Sequence, residues 1–221
     1  MRKLLFGIVL SVLCAASAGA QSKVNVDNDF VRIISATDAP HVKGSLHRHQ
    51  FNRVMVYLDA GDIDINWEGG NTDHQHWKAG QVAWSPAGGM HTSENVGSAA
   101  IRLVEIELKQ PAPAEPPARK PELDPLAIDA KHNELLFEND QVRVFRTWRE
   151  PGASEMMHEH TGRGRVAVFL TDAEGSAKLG DGGVAPLHES AGDVLWAPGS
   201  VMHAITNTGP KKFEAIVVEV K

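Results

Sequence analysis

The chain has 221 residues, 42% of them hydrophobic and 23% charged, with a formal net charge of −6. That length holds one large domain or two small ones. An acidic chain without a basic stripe is a poor partner for nucleic acid or an anionic membrane, and a single cysteine excludes a disulfide framework.

At the N-terminus, Arg2 and Lys3 precede an apolar run from Leu4 to Ala16 and the small residues Ala18, Gly19 and Ala20. This is the layout of a secretory signal peptide over residues 1–20, and its apolar run is too short to span a bilayer. Cleavage removes the lone Cys14 and two of the 22 basic residues, leaving 20 against 28 acidic ones, a net charge of −8. The reading predicts a secreted or periplasmic protein, soluble, with no membrane span and no thiol chemistry.

Short segments rich in β-branched and aromatic residues follow: VRIISA (31–36), VMVYLD (54–59), DIDINW (62–67), QVAWS (81–85) and IRLVEIEL (101–108). Turn-forming Gly, Asp, Asn and Pro clusters separate them, so they read as strands. QPAPAEPPARKPELDP (110–125) is too proline-rich for a helix or central strand and predicts a semi-rigid surface connector. A turn of helix is expected within 126–134. Strands resume with VRVFRTW (142–148), VAVFL (166–170), DVLWA (193–197) and EAIVVEV (214–220). With no helical periodicity after the leader, the fold class is all-β, a sandwich or barrel.

The second set of strands repeats the first. A shift of 111 residues lays NDFVRI (28–33) on NDQVRV (139–144) and His47-x-His49 on His158-x-His160. A shift of 112 then lays Arg53 on Arg165 and GQVAWSPAGGMHTSEN (80–95) on GDVLWAPGSVMHAITN (192–207). Two copies of domain size indicate a duplicated domain. The expected units are 24–109 and 135–221, joined by a linker over 110–134. Two arrangements stay open: closure of the two units on each other, or self-association through strand edges into a homo-oligomer.

Histidine is concentrated in the repeat. In extended backbone, residues i and i+2 project to one face, so each His-x-His aims two imidazoles together. The repeated phrase carries a third, His91 or His203. Its opening glycines, Gly80 and Gly192, allow a tight turn, and Pro86 and Pro198 end a strand. Three imidazoles suit iron, zinc, copper or nickel and leave coordination positions open.

Gly80-x5-Pro86-x-Gly88-x2-His91-x3-Asn95 resembles the second motif of the cupin superfamily. Gly192-x5-Pro198-x-Ser200-x2-His203-x3-Asn207 matches it with one serine for glycine. Gly152 and His158-x-His160 resemble the first motif, whereas the first unit has His41 in place of that glycine. The resemblance implies two tandem cupin jelly-roll β-barrels, a bicupin, each with a metal pocket. The implied ligands are His47, His49 and His91 in one barrel and His158, His160 and His203 in the other. The implied cofactor is a divalent ion, iron first, with zinc, manganese, nickel and copper as alternatives.

One feature departs from the family. Its frequent fourth ligand, a glutamate just past His-x-His, is missing, and Arg53 and Arg165 stand near that position. Three readings stay open: a three-histidine site in which the arginine pairs with a substrate carboxylate; an arginine that faces outward; or a metal-free anion site. The function expected is a dioxygenase-like enzyme acting on a small organic acid or diketone. The alternatives are a non-enzymatic module for a small molecule or metal, and a sandwich with vestigial sites.

Other residues read as ordinary. Trp84, Trp196, Tyr57 and Phe169 are expected to pack the core. His76 and His188 recur but should point outward; His74 has no third partner; His41 and His132 belong to the surface. Met90, Met156, Met157 and Met202 crowd the ligands, more as filler than as copper donors. Asn95 and Asn207 read as loop formers.

Overall fold

A computed structural model describes residues 21–221; the signal-peptide reading and Cys14 lie outside them. Among the described residues no helix is long and apolar enough to cross a membrane. The first unit runs through β1 (Gln21–Asp27), β2 (Val31–Asp38), β3 (His47–His49), β4 (Arg53–Tyr57), β5 (Gly61–Trp67), β6 (Thr72–Trp77), β7 (Val82–Ser85), β8 (Gly88–Asn95) and β9 (Ile101–Leu108). The second repeats that order: β10 (Asn133–Glu138), β11 (Val142–Arg149), β12 (His158–His160), β13 (Gly164–Phe169), β14 (Ala173–Leu179), β15 (Val184–Glu189), β16 (Val194–Pro198), β17 (Val201–Asn207) and β18 (Phe213–Val220). Each unit is a two-sheet jelly roll. In the first, a five-stranded sheet β1-β2-β9-β4-β7 faces a four-stranded sheet β3-β8-β5-β6. In the second, β10-β11-β18-β13-β16 faces β12-β17-β14-β15.

The apolar strands are buried on both faces. In β9, Ile101 and Leu103 pack inside the first barrel with Met55, Tyr57 and Ile63. The alternate residues Val104, Ile106 and Leu108 face the other way and meet Val142, Val144, Ile216, Val218 and Val220 of the second unit. The two five-stranded sheets thus pack back to back across one shared core. Each fully buried Val or Ile there contributes roughly 1.5–3 kcal/mol over leaving it in water, so the barrels stay together. Trp84 and Trp196 lie against this shared core, which is the packing role expected of them. Gly80 (φ 75°) and Gly192 (φ 100°) make the left-handed turns that open the repeated phrase. Gly80 also lets Arg146 of the second unit close in and donate from Nη2 to its carbonyl at 2.7 Å.

The expected turn of helix is α1 (Pro125–Ile128), capped by Asp124, which accepts from the Leu126 amide at 3.1 Å; Asn133 and Glu134 begin β10. The prolines do keep 110–120 free of regular structure, but the connector is tied to the second barrel. Arg163 donates to the Pro111 carbonyl at 2.9 Å, Gln141 to the Gln110 carbonyl at 2.8 Å, and Arg119 to Glu138 at 3.0 Å.

The asparagines that close the repeated phrase are buried clamps. Asn95 donates to the carbonyls of Asp38 and Ala99, both at 2.8 Å, and accepts from the Gly97 amide at 3.0 Å. Asn207 does the same with Arg149, Lys211 and Gly209 at 2.9, 2.8 and 2.9 Å. Replacing Asn95 or Asn207 by alanine orphans three backbone groups, and we expect a loss of about 2–4 kcal/mol in urea unfolding. A loss below about 0.5 kcal/mol would mean these bonds are dispensable.

Candidate metal centres

Each His-x-His forms its own three-residue strand, laid antiparallel on the strand that bears the third histidine. His47 pairs with His91, and His158 with His203. The register brings all six predicted ligands into two triads, in each of which the donor atoms lie within 4.8 Å of one another. His47 Nε2 is 3.0 Å from His49 Nε2. In the second triad His160 Nε2 is 3.1 Å from both His158 Nε2 and His203 Nε2. At metal–nitrogen bonds of 2.0–2.1 Å, donors at right angles are about 3.0 Å apart and tetrahedral donors about 3.4 Å. The three separations are close to the right-angle value, and the remaining donors lie within 4.8 Å, so each triad could hold one ion.

The outer nitrogens set the rings' protonation. His47 Nδ1 donates to the Ser45 carbonyl at 2.8 Å and His91 Nδ1 to the Gly89 carbonyl at 3.3 Å, so both turn the Nε2 lone pair inward. In the second barrel His158 Nδ1 donates to the Met156 carbonyl at 3.0 Å. Met156 itself is exposed and offers no sulfur to the site. His160 Nδ1 meets Glu219 Oε1 at 2.8 Å. Glu219 is in turn gripped by Arg143 through bonds of 2.7 and 3.1 Å, and Arg143 holds Asp124 of the connector at 2.9 and 2.8 Å. The sequence pattern did not single out Glu219, although its counterpart Glu107 sits at the same place in β9.

Burial, reinforced by Arg53 and the neighbouring imidazoles, pushes His49 down to about 3. Burial likewise lowers His91, His160 and His203, with Arg165 adding to the effect on the last two. These rings are neutral at pH 7, the state that binds metal.

The arginines distinguish the two barrels. Neither faces outward, which removes one of the three readings. Arg53 is 6% exposed and is already paired, donating to Glu105 at 2.6 Å and to Ser85 Oγ at 2.8 Å. Its charge is therefore partnered inside the barrel. In the second barrel Val217 replaces Glu105 and Ala197 replaces Ser85. Arg165 has no salt bridge among the described residues, and its Nη2 lies 3.2 Å from His203 Nδ1. The first triad opens on a cavity of about 400 Å³, lined also by Tyr57, Trp67, Trp77 and Asp38. The second sits in a tighter cavity of about 180 Å³ walled mainly by Phe145, Phe169, Leu187 and Phe213, with Glu155 and Glu189 also on its lining.

Other histidines stay outside. His74 and His76 are exposed and bond to Asp64 and Asp62, both at 2.7 Å, while His188 lies 4.0 Å from Glu174.

The chain pairs two jelly rolls with a histidine triad in each, and solved structures share its fold. AerE from Microcystis aeruginosa superposes with a TM-score of 0.68 at 14% identity, over 94% of this chain and 95% of that one. Oxalate decarboxylase from Bacillus subtilis gives 0.63 at 14% identity, over 90% and 71%. A cupin 2 conserved barrel domain protein from Leptotrichia buccalis gives 0.56 at 14%, over 94% and 91%. No family model and no curated protein matches the chain. The likenesses establish the fold as two tandem cupin jelly rolls, and the two triads give it the donor sets of a metal-binding cupin.

Two outcomes follow from this geometry. The unfolded chain protonates its histidines near 6.5, while the folded chain keeps His49 neutral to about 3. Below 6.5 the unfolded state binds more protons, so the stability of metal-free protein should fall as the pH drops from 7 to 5. Urea midpoints would register the fall, and it should flatten in the His49→Asn, His203→Asn double variant. Second, Glu219→Gln should weaken metal at the second triad by about 10–100-fold and leave the first unchanged, by calorimetric titration.

Proposed function

We propose that the chain is an exported, metal-dependent enzyme, dioxygenase-like in type, that acts on a small organic acid in its second barrel. The observation that carries this is Arg165. It brings a guanidinium that makes no salt bridge among the described residues to the wall of the cavity that holds three imidazoles. A planar guanidinium matches a carboxylate in a bidentate fit, and it keeps its charge when buried. An enclosed cavity of about 180 Å³ admits a ligand of few atoms. Its apolar wall excludes water, which strengthens the attraction between the charges.

His158, His160 and His203 would hold the ion, Glu219 would orient His160, and Arg165 would fix the acid. When bound, the ion supplies Lewis acidity and open positions for substrate and dioxygen. Three imidazoles accept several divalent ions, with iron our first assignment and zinc, manganese, nickel and copper as alternatives. His47, His49 and His91 would hold a second ion in the wider cavity. A structural neighbour, the Bacillus subtilis oxalate decarboxylase, has Mn(II) centres, which supports a divalent ion and a small acid on this fold. The leader at residues 1–20 supports export.

The test is metal content followed by oxygen uptake. Protein reconstituted with Fe(II) or Mn(II) should carry two ions per chain. It should consume oxygen with one of a panel of two- to four-carbon acids and diketones, and Arg165→Ala should abolish the uptake. Less than about a tenth of an ion per chain would end the metal reading. Full loading with no turnover across the panel would favour a non-enzymatic binding module.

A further inference from the structure

We infer that Arg165 is a latch shared between His203 and an anion, so that a divalent metal and a small carboxylate bind the second barrel cooperatively. The inference rests on the reading of the triad as a metal site and adds a regulation that the first barrel lacks.

The argument begins with donors and acceptors. An arginine can only donate a hydrogen bond. With Arg165 Nη2 at 3.2 Å, His203 Nδ1 must accept, and the single proton of the neutral ring then sits on Nε2. That nitrogen points into the triad, 3.1 Å from His160 Nε2. The latter is free to accept, because the His160 proton is on Nδ1, facing Glu219 Oε1 at 2.8 Å. His91, the equivalent residue of the first barrel, has the opposite tautomer: its Nδ1 faces a carbonyl, at 3.3 Å, and its Nε2 lone pair is free. The repeated phrase thus presents a ready ligand in one barrel and a blocked one in the other.

For His203 to ligate through Nε2, its proton must move to Nδ1. Two donors then face each other, and Arg165 must turn away. Among the described residues none holds it in a salt bridge: Val217 and Ala197 stand where Glu105 and Ser85 hold Arg53. Glu155, which lines the same cavity with Glu189, is already bonded to Arg149 and the Ile205 amide. Glu155 and Glu219 act on it only through space. The displaced guanidinium needs an acceptor within a small, largely apolar cavity, and a carboxylate of one to three carbons supplies it. Conversely, an anion that holds Arg165 away from His203 frees the Nε2 lone pair for metal. The coupling must be reciprocal. In the first barrel Arg53 is bonded to Glu105 and Ser85 and makes no contact with His91, so metal binds there without an anion.

The test uses the full chain, with Mn(II) as metal and formate and acetate as anions, followed by Mn(II) electron paramagnetic resonance and calorimetry. Saturating formate or acetate should tighten Mn(II) at the second triad by about 5–150-fold and leave the first unchanged. Val217→Glu gives Arg165 the internal partner that Arg53 has. It should tighten Mn(II) without added anion and remove the anion effect. Arg165→Met, which carries no new charge, should do the same if Val217→Glu fails to fold. Mn(II) bound at both triads with no response to anion would overturn the latch and leave the proposed metal site standing. So would an anion effect that survives either substitution. No metal at either triad would overturn both.

Discussion

Two residue pairs, His47 with His91 and His158 with His203, sit opposite each other across antiparallel strands, and the chemistry of the molecule depends on that register. Side chains alternate along a strand, so slipping either pairing by one residue would turn the rings to the opposite face of the sheet. The pairing is short, three residues on one side, and its own hydrogen bonds do not secure it. Security comes from the far end of the partner strand, where Asn95 and Asn207 each tie three backbone groups together inside the protein. Stiffness is transmitted along β8 and β17 to the histidine. This explains physically why the repeated phrase ends on asparagine.

The shared core imposes the second constraint. Because the five-stranded sheets pack back to back, one face of each is committed to the other unit, and only the inner faces are free to diverge. Exchanging Glu105 for Val217 and Ser85 for Ala197 changes no element of the fold. It nevertheless converts a neutralised arginine into one that must find an acceptor, and a burial cost that Arg53 offsets internally is left in the second barrel for a ligand to offset. Two copies of one scaffold thus present a wider cavity whose arginine is in a salt bridge and a tighter one whose arginine is not.

The connector belongs to the second unit's electrostatics. Asp124, Arg143, Glu219 and His160 form a continuous chain of charged hydrogen bonds from the proline-rich segment to a ligand ring. Such a chain orients the imidazole and raises its basicity. In the first unit Arg32 lies 3.6 Å from Glu107, and no bond passes on to His49. The first triad is less supported and more exposed, the second more rigid and more enclosed.

Much of this was legible in the chain alone. Duplication, the all-β class, the six histidines and the role of the paired tryptophans follow from spacing and alternation, which are local properties. The polar strands β6, β14 and β15 escaped because their alternation is carried by side chains such as Gln75 and Ser176 rather than by apolar ones. Glu219 escaped because an acid in an apolar strand gains meaning only from what it touches. By itself the sequence determined that two arginines stand near where the family keeps an acid. Only tertiary structure decided that one is neutralised and the other is not. Their partners lie on other strands 32, 52 and 38 residues away, and register, not spacing along the chain, sets which side chains meet.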